Sequence, residues 1–216
     1  MLFRSLNTSD GQDITNFMQY GVDLEAGYLY IGSSDDLEVD FDNKLAEKVI
    51  KGVLMLDRYS DHEWITLYLN NMGGFDEAGM AVYDILRSCR ARIRVIILGQ
   101  ATSIAAWVVQ AAEDRVMAPN SKLLIHDGEV QFQGSRRSVN AEMEHDRWHT
   151  AKLNNILLSR IQERWPKYTM SRLERLLEKD TPLTPQEAID LGLADRLLMP
   201  RPAQPAPPQA KRKRKK

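Results

Sequence analysis

Short apolar runs alternate along this chain with stretches in which apolar residues recur every third or fourth position. Residues 27–31 (GYLYI) read as a first strand. Over residues 43–59, Leu45, Val49, Ile50, Val53, Leu54 and Leu56 fall at helical spacing, which predicts an amphipathic helix with one buried face. Residues 64–69 (WITLYL) read as a strand that stops at the turn signal Asn70-Asn71-Met72-Gly73-Gly74. Helical spacing returns over residues 75–89 through Ala78, Val82, Ile85 and Leu86. The continuous apolar run 93–98 predicts a strand covered on both faces. A Gly-containing turn, a buried helix over 103–112 and strands at 115–118 and 122–126 follow. This alternation predicts βαβ units around a mostly parallel sheet, an α/β fold. Beyond it come a short strand at 130–134 and a long helix over 138–165 with Val139, Met143, Leu153, Ile156, Leu157 and Ile161 as apolar positions. Pro166 interrupts that helix. Helices at 171–177 and 185–191 and an apolar segment at 193–198 complete the pattern.

Composition narrows this picture. The 216 residues suit one domain with a sizeable core, expected over 26–199, between a flexible arm at 1–25 and a tail at 200–216. The uncharged run 95–112 has the length of a membrane span, but Gly99, Gln100, Thr102, Ser103 and Gln110 within it favour a buried strand, turn and helix. A single cysteine, Cys89, excludes an intrachain disulfide and suits a reducing, cytoplasmic setting. The first residues lack the basic and apolar regions of a secretory signal. Net charge is −1, yet residues 201–216 carry seven Lys or Arg and no acid, so the preceding 200 residues stand seven charges lower at −8. An acidic body excludes a typical nucleic-acid-binding domain. The tail itself, PRPAQPAPPQA and then KRKRKK, reads as extended and solvated, with contact to an acidic partner or nucleic acid as the alternative.

Candidate chemistry gathers at one sheet edge. Ser103 follows an apolar strand and begins an apolar helix, where unpaired N–H groups and the helix dipole favour a developing oxyanion. The same position also suits an ordinary N-cap serine. His126 is the only histidine of four that ends an apolar strand, and active groups in open α/β sheets collect at such ends. A hydrogen-bonded histidine at the rim of the core is the alternative. Gly73-Gly74 lets the backbone approach a ligand closely, or simply turns the chain. His145 and His149 share a helical face at zinc-ligand spacing, but no third ligand is evident and a solvated polar face explains them as well.

In order along the chain, Tyr68-Leu-Asn-Asn-Met-Gly-Gly74, Ala78-Gly-Met-Ala-Val-Tyr-Asp84, Gly99-Gln-Ala-Thr-Ser103-Ile-Ala-Ala106, Pro119-Asn-Ser121 and Ile125-His126 resemble the ClpP family of self-compartmentalised proteases. The resemblance covers about residues 27–198. It implies the ClpP/crotonase fold, a spiral core of βαβ units with a projecting strand-helix handle at about 128–165. It further implies a Ser-His-Asp serine endopeptidase with Ser103 as nucleophile, His126 as general base and Asp180 as its orienting acid. Asp180 read alone is a capping residue ahead of a helix start. Gly74 and Ile104 would supply the oxyanion-hole N–H groups. The family forms a tetradecamer of two stacked heptameric rings fed with unfolded polypeptide by an AAA+ unfoldase, a Clp ATPase. ATP is thus the partner's, and no cofactor or metal is expected in this chain.

The sequence departs from the family pattern at several places. Asn71-Met72-Gly73-Gly74 stands where Ser-Pro-Gly-Gly is usual, and His126-Asp127-Gly128 replaces His-Gln-Pro. Ser88 replaces an aromatic of the unfoldase docking groove, although Tyr68 is kept, and the usual run ahead of the first strand is missing. Such divergence suits a phage-encoded or accessory paralogue. It keeps open a catalytically silent ring subunit, a capsid-maturation peptidase, and a crotonase-type CoA enzyme on the same fold.

Overall fold

The alternation of periods becomes an alternation of strands and helices. A computed structural model describes Thr15 and residues 17–32, 41–59, 61–128 and 130–199. After a helical turn at 17–20 come β1 (Val22–Asp23), β2 (Tyr28–Ile31), α1 (Asn43–Tyr59), β3 (Trp64–Asn71), α2 (Asp76–Ser88) and β4 (Arg92–Thr102). Then follow α3 (Ile104–Val109), β5 (Asp114–Met117), β6 (Lys122–Ile125), α4 (Arg136–Arg164), α5 (Met170–Leu177), β7 (Thr181–Leu183), α6 (Pro185–Leu191) and β8 (Arg196–Leu197).

One eight-stranded sheet runs β1-β2-β3-β4-β5-β8, with β6 beside the far half of β4 and β7 beside β6. Only the β1–β2 and β6–β7 pairs are antiparallel. Alternate strand residues such as Ile65, Leu67, Leu69, Ile93, Val95 and Ile97 are fully buried in one core with Val49, Val53 and Leu56 of α1 and Val82 and Leu86 of α2. Every residue of α3 is buried, as expected of a helix that is apolar all round. No helix among the described residues is long and apolar enough to cross a membrane.

Four boundaries depart from the sequence reading. Val22–Asp23 pairs with β2, inside the stretch read as an arm, while residues 1–14 and the tail from 200 lie outside the described residues. β4 does not stop at Leu98 but runs eleven residues to Thr102. The helix after it is shorter than 103–112, because residues 110–112 tighten into i→i+3 bonds (Gln110 N–H to Trp107 O, Ala111 N–H to Val108 O). Residues 130–134 form no strand and have no ladder partner among the described residues.

The handle helix α4 is 29 residues long and buries only Leu153, Asn154, Leu157 and Ile161, all in its second half. Two ties fasten that half to the core. The Trp107 Nε1–H donates to Leu153 O at 3.0 Å, and Arg160 donates to Gln110 O and Ala112 O, the carbonyls that end α3. The chain's return is pinned by Arg115, which is 5% exposed, donates to both Asp195 carboxylate oxygens, and reaches Gln110 Oε1 and Gly192 O.

Candidate active site

Gly99 sets up the site from four residues away. Its φ is +73°, and a Cβ there would stand 2.7 Å from Asn70 Oδ1, which accepts the Gln100 N–H at 3.2 Å. β4 therefore steps sideways without breaking, a bulge rather than a turn. Its first half pairs with β5, and Gln100–Thr102 pairs with β6. The step carries Ser103 to the carboxyl end of the sheet.

The entry to α3 is one strained residue. Ser103 has φ 54° and ψ −136°, and among the described residues it is the only non-glycine with positive φ. That backbone costs on the order of 1–3 kcal/mol and persists only where its surroundings enforce it. The enforcement is visible: the Ser103 N–H donates to Leu124 O at 3.0 Å, and its carbonyl accepts the Ala106 N–H at 2.8 Å. Ser103 holds the N-cap position, yet its side chain makes no capping bond. The N-cap reading thus describes the position of Ser103 and not the work of its hydroxyl.

Gly73 and Gly74 close against this elbow. Gly73 has φ +94°, and a Cβ there would meet Ser103 Cβ and Thr102 O at 2.6 Å each. Fully buried Asn71 shapes the turn, accepting the Gly73 N–H at 2.7 Å and donating to Gly32 O at 2.9 Å. Phe41 pairs across it, its N–H on Gly73 O and its carbonyl on the Phe75 N–H. The N–H groups of Gly74 and Ile104 have no protein acceptor among the described residues. The sequence reading treated Asn71 as a mere turn residue, and its burial is what that reading missed.

His126 and Asp180, 54 positions apart, meet through the β6–β7 ladder. The register pairs Ile125 with Thr181, so the next residues outward, His126 and Asp180, stand opposite one another. His126 Nδ1 lies 3.0 Å from Asp180 Oδ1. Its Nε2 is buried without a hydrogen bond, so the bond from the Ser103 hydroxyl is not made. Asp180 does not cap α6. Thr184 does, in a capping box with Glu187 that has Pro185 in the first turn.

Ser103, Ile104, Gly74 and His126 line one cavity of about 740 Å³, walled on the far side by α4. Among the described residues, the buried side-chain polar atoms without a hydrogen bond are Thr102 Oγ1, His126 Nε2 and His149 Nε2. All three belong to this site or to the residue beside it, and orphaned polar atoms concentrate where a ligand completes them. Burial raises the Asp127 pKa above the ordinary aspartate value, helped by Glu174 and Glu178 and opposed by His126. Burial likewise raises Asp76, which lies 3.5 Å from His149 Nε2, and His149 opposes the shift. His149 is therefore not part of a solvated polar face: it looks into the cavity at Asp76. His145 also lines the cavity and lies against Trp148, ring centroids 5.6 Å apart and planes tilted by 41°, and no group of three metal-ligating side chains exists among the described residues.

A family model described as Clp protease matches residues 34–201. The chain is similar to the chloroplastic ATP-dependent Clp protease proteolytic subunit 3 of Arabidopsis thaliana, 33% identical over 188 residues, 86% of this chain. It is also similar to the ATP-dependent Clp protease proteolytic subunit of Deinococcus radiodurans, 28% identical over 159 residues, 73% of this chain. It spans 56% of the length of the first relative and 76% of the second.

Proposed function

This chain belongs to the Clp protease family, and from that premise we propose that it is a serine endopeptidase subunit cleaving unfolded polypeptides through Ser103, His126 and Asp180. The observation that carries the reading is the His126 imidazole, anchored through Nδ1 at 3.0 Å to Asp180 while Nε2 is left unpartnered beside Ser103. With Asp180 holding the Nδ1 proton, Nε2 is the basic nitrogen. It takes the Ser103 proton as Oγ attacks a peptide carbonyl, then passes that proton to the leaving amine. Water, activated by the same nitrogen, hydrolyses the acyl-enzyme. The unpaired N–H groups of Gly74 and Ile104 receive the oxyanion at each tetrahedral stage. Positive φ at Ser103 keeps Oγ out of the capping role that would compete with attack.

By the same reading the subunit works in the cytoplasm in stacked heptameric rings, a tetradecamer. A Clp-type AAA+ unfoldase hydrolyses the ATP, and no cofactor sits in this chain. The unmade Ser103–His126 bond favours one second reading: a subunit silent as a monomer, whose serine and histidine close up on assembly. Cleavage of a fluorogenic peptide by the assembled protein tests both. Ser103→Ala is expected to lower kcat by about 10⁶-fold, and Asp180→Asn by about 10³–10⁴-fold with KM little changed. Cleavage that survives Ser103→Ala refutes the assignment, and activity confined to the assembled fraction selects the second reading.

A further inference from the structure

The cavity beside Ser103 is charged in a lopsided way. Its lining includes the carboxylates of Asp76, Glu77, Asp127, Glu142 and Asp146 and, among the described residues, neither a lysine nor an arginine. Arg147, next in sequence to Asp146, does not line it. The floor is of a different kind, with Ile104, Trp107 and Leu153 all buried. Asp76 stands two residues beyond Gly74 and lines the same cavity as Ser103. Asp146 and His149 come from α4 opposite, and His149 Nε2, which makes no hydrogen bond, lies 3.5 Å from Asp76 Oδ2.

We propose that this cavity selects lysine or arginine on the acyl side of the scissile bond, with Asp76 and Asp146 receiving the cation. The inference rests on the peptidase reading and names its substrate class. Long basic side chains match both parts of the cavity: a methylene stem for the apolar floor and a cationic head for the acidic rim. Their cation also meets an unmet need. Burial resists ionisation of Asp76 and Asp127, and a cation brought close offsets that desolvation. A cleft lined by one sign of charge raises the local concentration of its opposite as well. An acidic side chain would face repulsion from both walls. A leucine would fit the floor and bring no positive charge to the acidic rim.

The test is a set of fluorogenic peptides identical except for Arg, Lys, Leu or Glu on the acyl side, cleaved by the assembled full-length protein. Fluorophosphonate labelling of Ser103 is followed in parallel. The Arg and Lys peptides are expected to exceed Leu in kcat/KM by roughly tenfold or more, the scale of one charge-assisted contact, and to exceed Glu by more. In the double variant Asp76→Asn, Asp146→Asn the Arg-to-Leu ratio should fall to about one, and a ratio taken within one preparation is insensitive to how much of it folds. If labelled enzyme cleaves Leu or Glu peptides as fast as Arg, or if the double variant keeps the ratio, the specificity is wrong while the peptidase reading stands. If Ser103 takes no label and no peptide is cut, both fall together.

Discussion

The two walls of the cavity are made of different material. The Ser103 wall is built from β4, α3 and the Gly73–Gly74 turn: α3 is buried throughout, and Asn71 and Ala101 are fully buried. Its backbone is strained at Ser103 and held there by the bonds to Leu124 O and from the Ala106 N–H. The opposite wall is the first half of α4, where Val139 and Met143 are half-buried and Glu142 and His145 are exposed. Its shape is set by a helix whose buried anchors, Leu153, Leu157 and Ile161, and whose ties through Trp107 and Arg160 lie further along, with the His149–Asp76 contact as its link to α2. A reacting atom must be placed to a fraction of an ångström, and only a packed core supplies that placement. Selecting a side chain needs charge on a surface that tolerates change. On the proposed reading, chemistry belongs to one wall and choice to the other.

The contrast breaks most readily through stability. Leu69→Ala, in the fully buried centre of β3, should cost about 3 kcal/mol in denaturant unfolding, and Val139→Ala on α4 about 0.5 kcal/mol. Equal losses would mean that the handle is as tightly packed as the core. Acid unfolding sharpens the comparison with a smaller effect. Burial works against the half-buried Asp114 carboxylate at the start of β5, but hydrogen bonds from Arg196 and Arg94 outweigh it and hold the pKa below the ordinary value. The stabilisation from such a depressed group is complete above the unfolded-state pKa and disappears as pH falls through the depressed one. Asp114→Asn should therefore cost about 1 kcal/mol at pH 7 and flatten the loss of stability on acidification. An unchanged acid limb would remove Asp114 from the account.

The elements of this fold were legible in the sequence wherever period and caps agreed. α1, α2 and α6 lie within a residue or two of their expected bounds, because apolar spacing and the Thr184–Glu187 box are local signals. β4 was misread because Gly99 looks like a turn in sequence. What converts it to a bulge is Asn70 on the neighbouring strand, a contact no local pattern carries. The residues 130–134 look like a strand by composition and find no ladder partner among the described residues. In the site, Ser103 and His126 were legible as the ends of apolar strands. Their relation to Asp180 was not, since it depends on the antiparallel register of β6 with β7. His149 was misread as part of a solvated face because i,i+4 spacing places both histidines on one helix face. Only the folded chain shows that one of them, His149, meets Asp76 at the start of α2.

The most direct measurement is intact-mass analysis of the assembled protein after fluorophosphonate treatment, wild type against Ser103→Ala. The account predicts one adduct per subunit in the wild type and none in the variant, because only a serine activated by His126 and served by the Gly74 and Ile104 amides reacts at that rate. A wild-type protein that is folded and assembled yet takes no adduct, or a variant that still takes one, would contradict it.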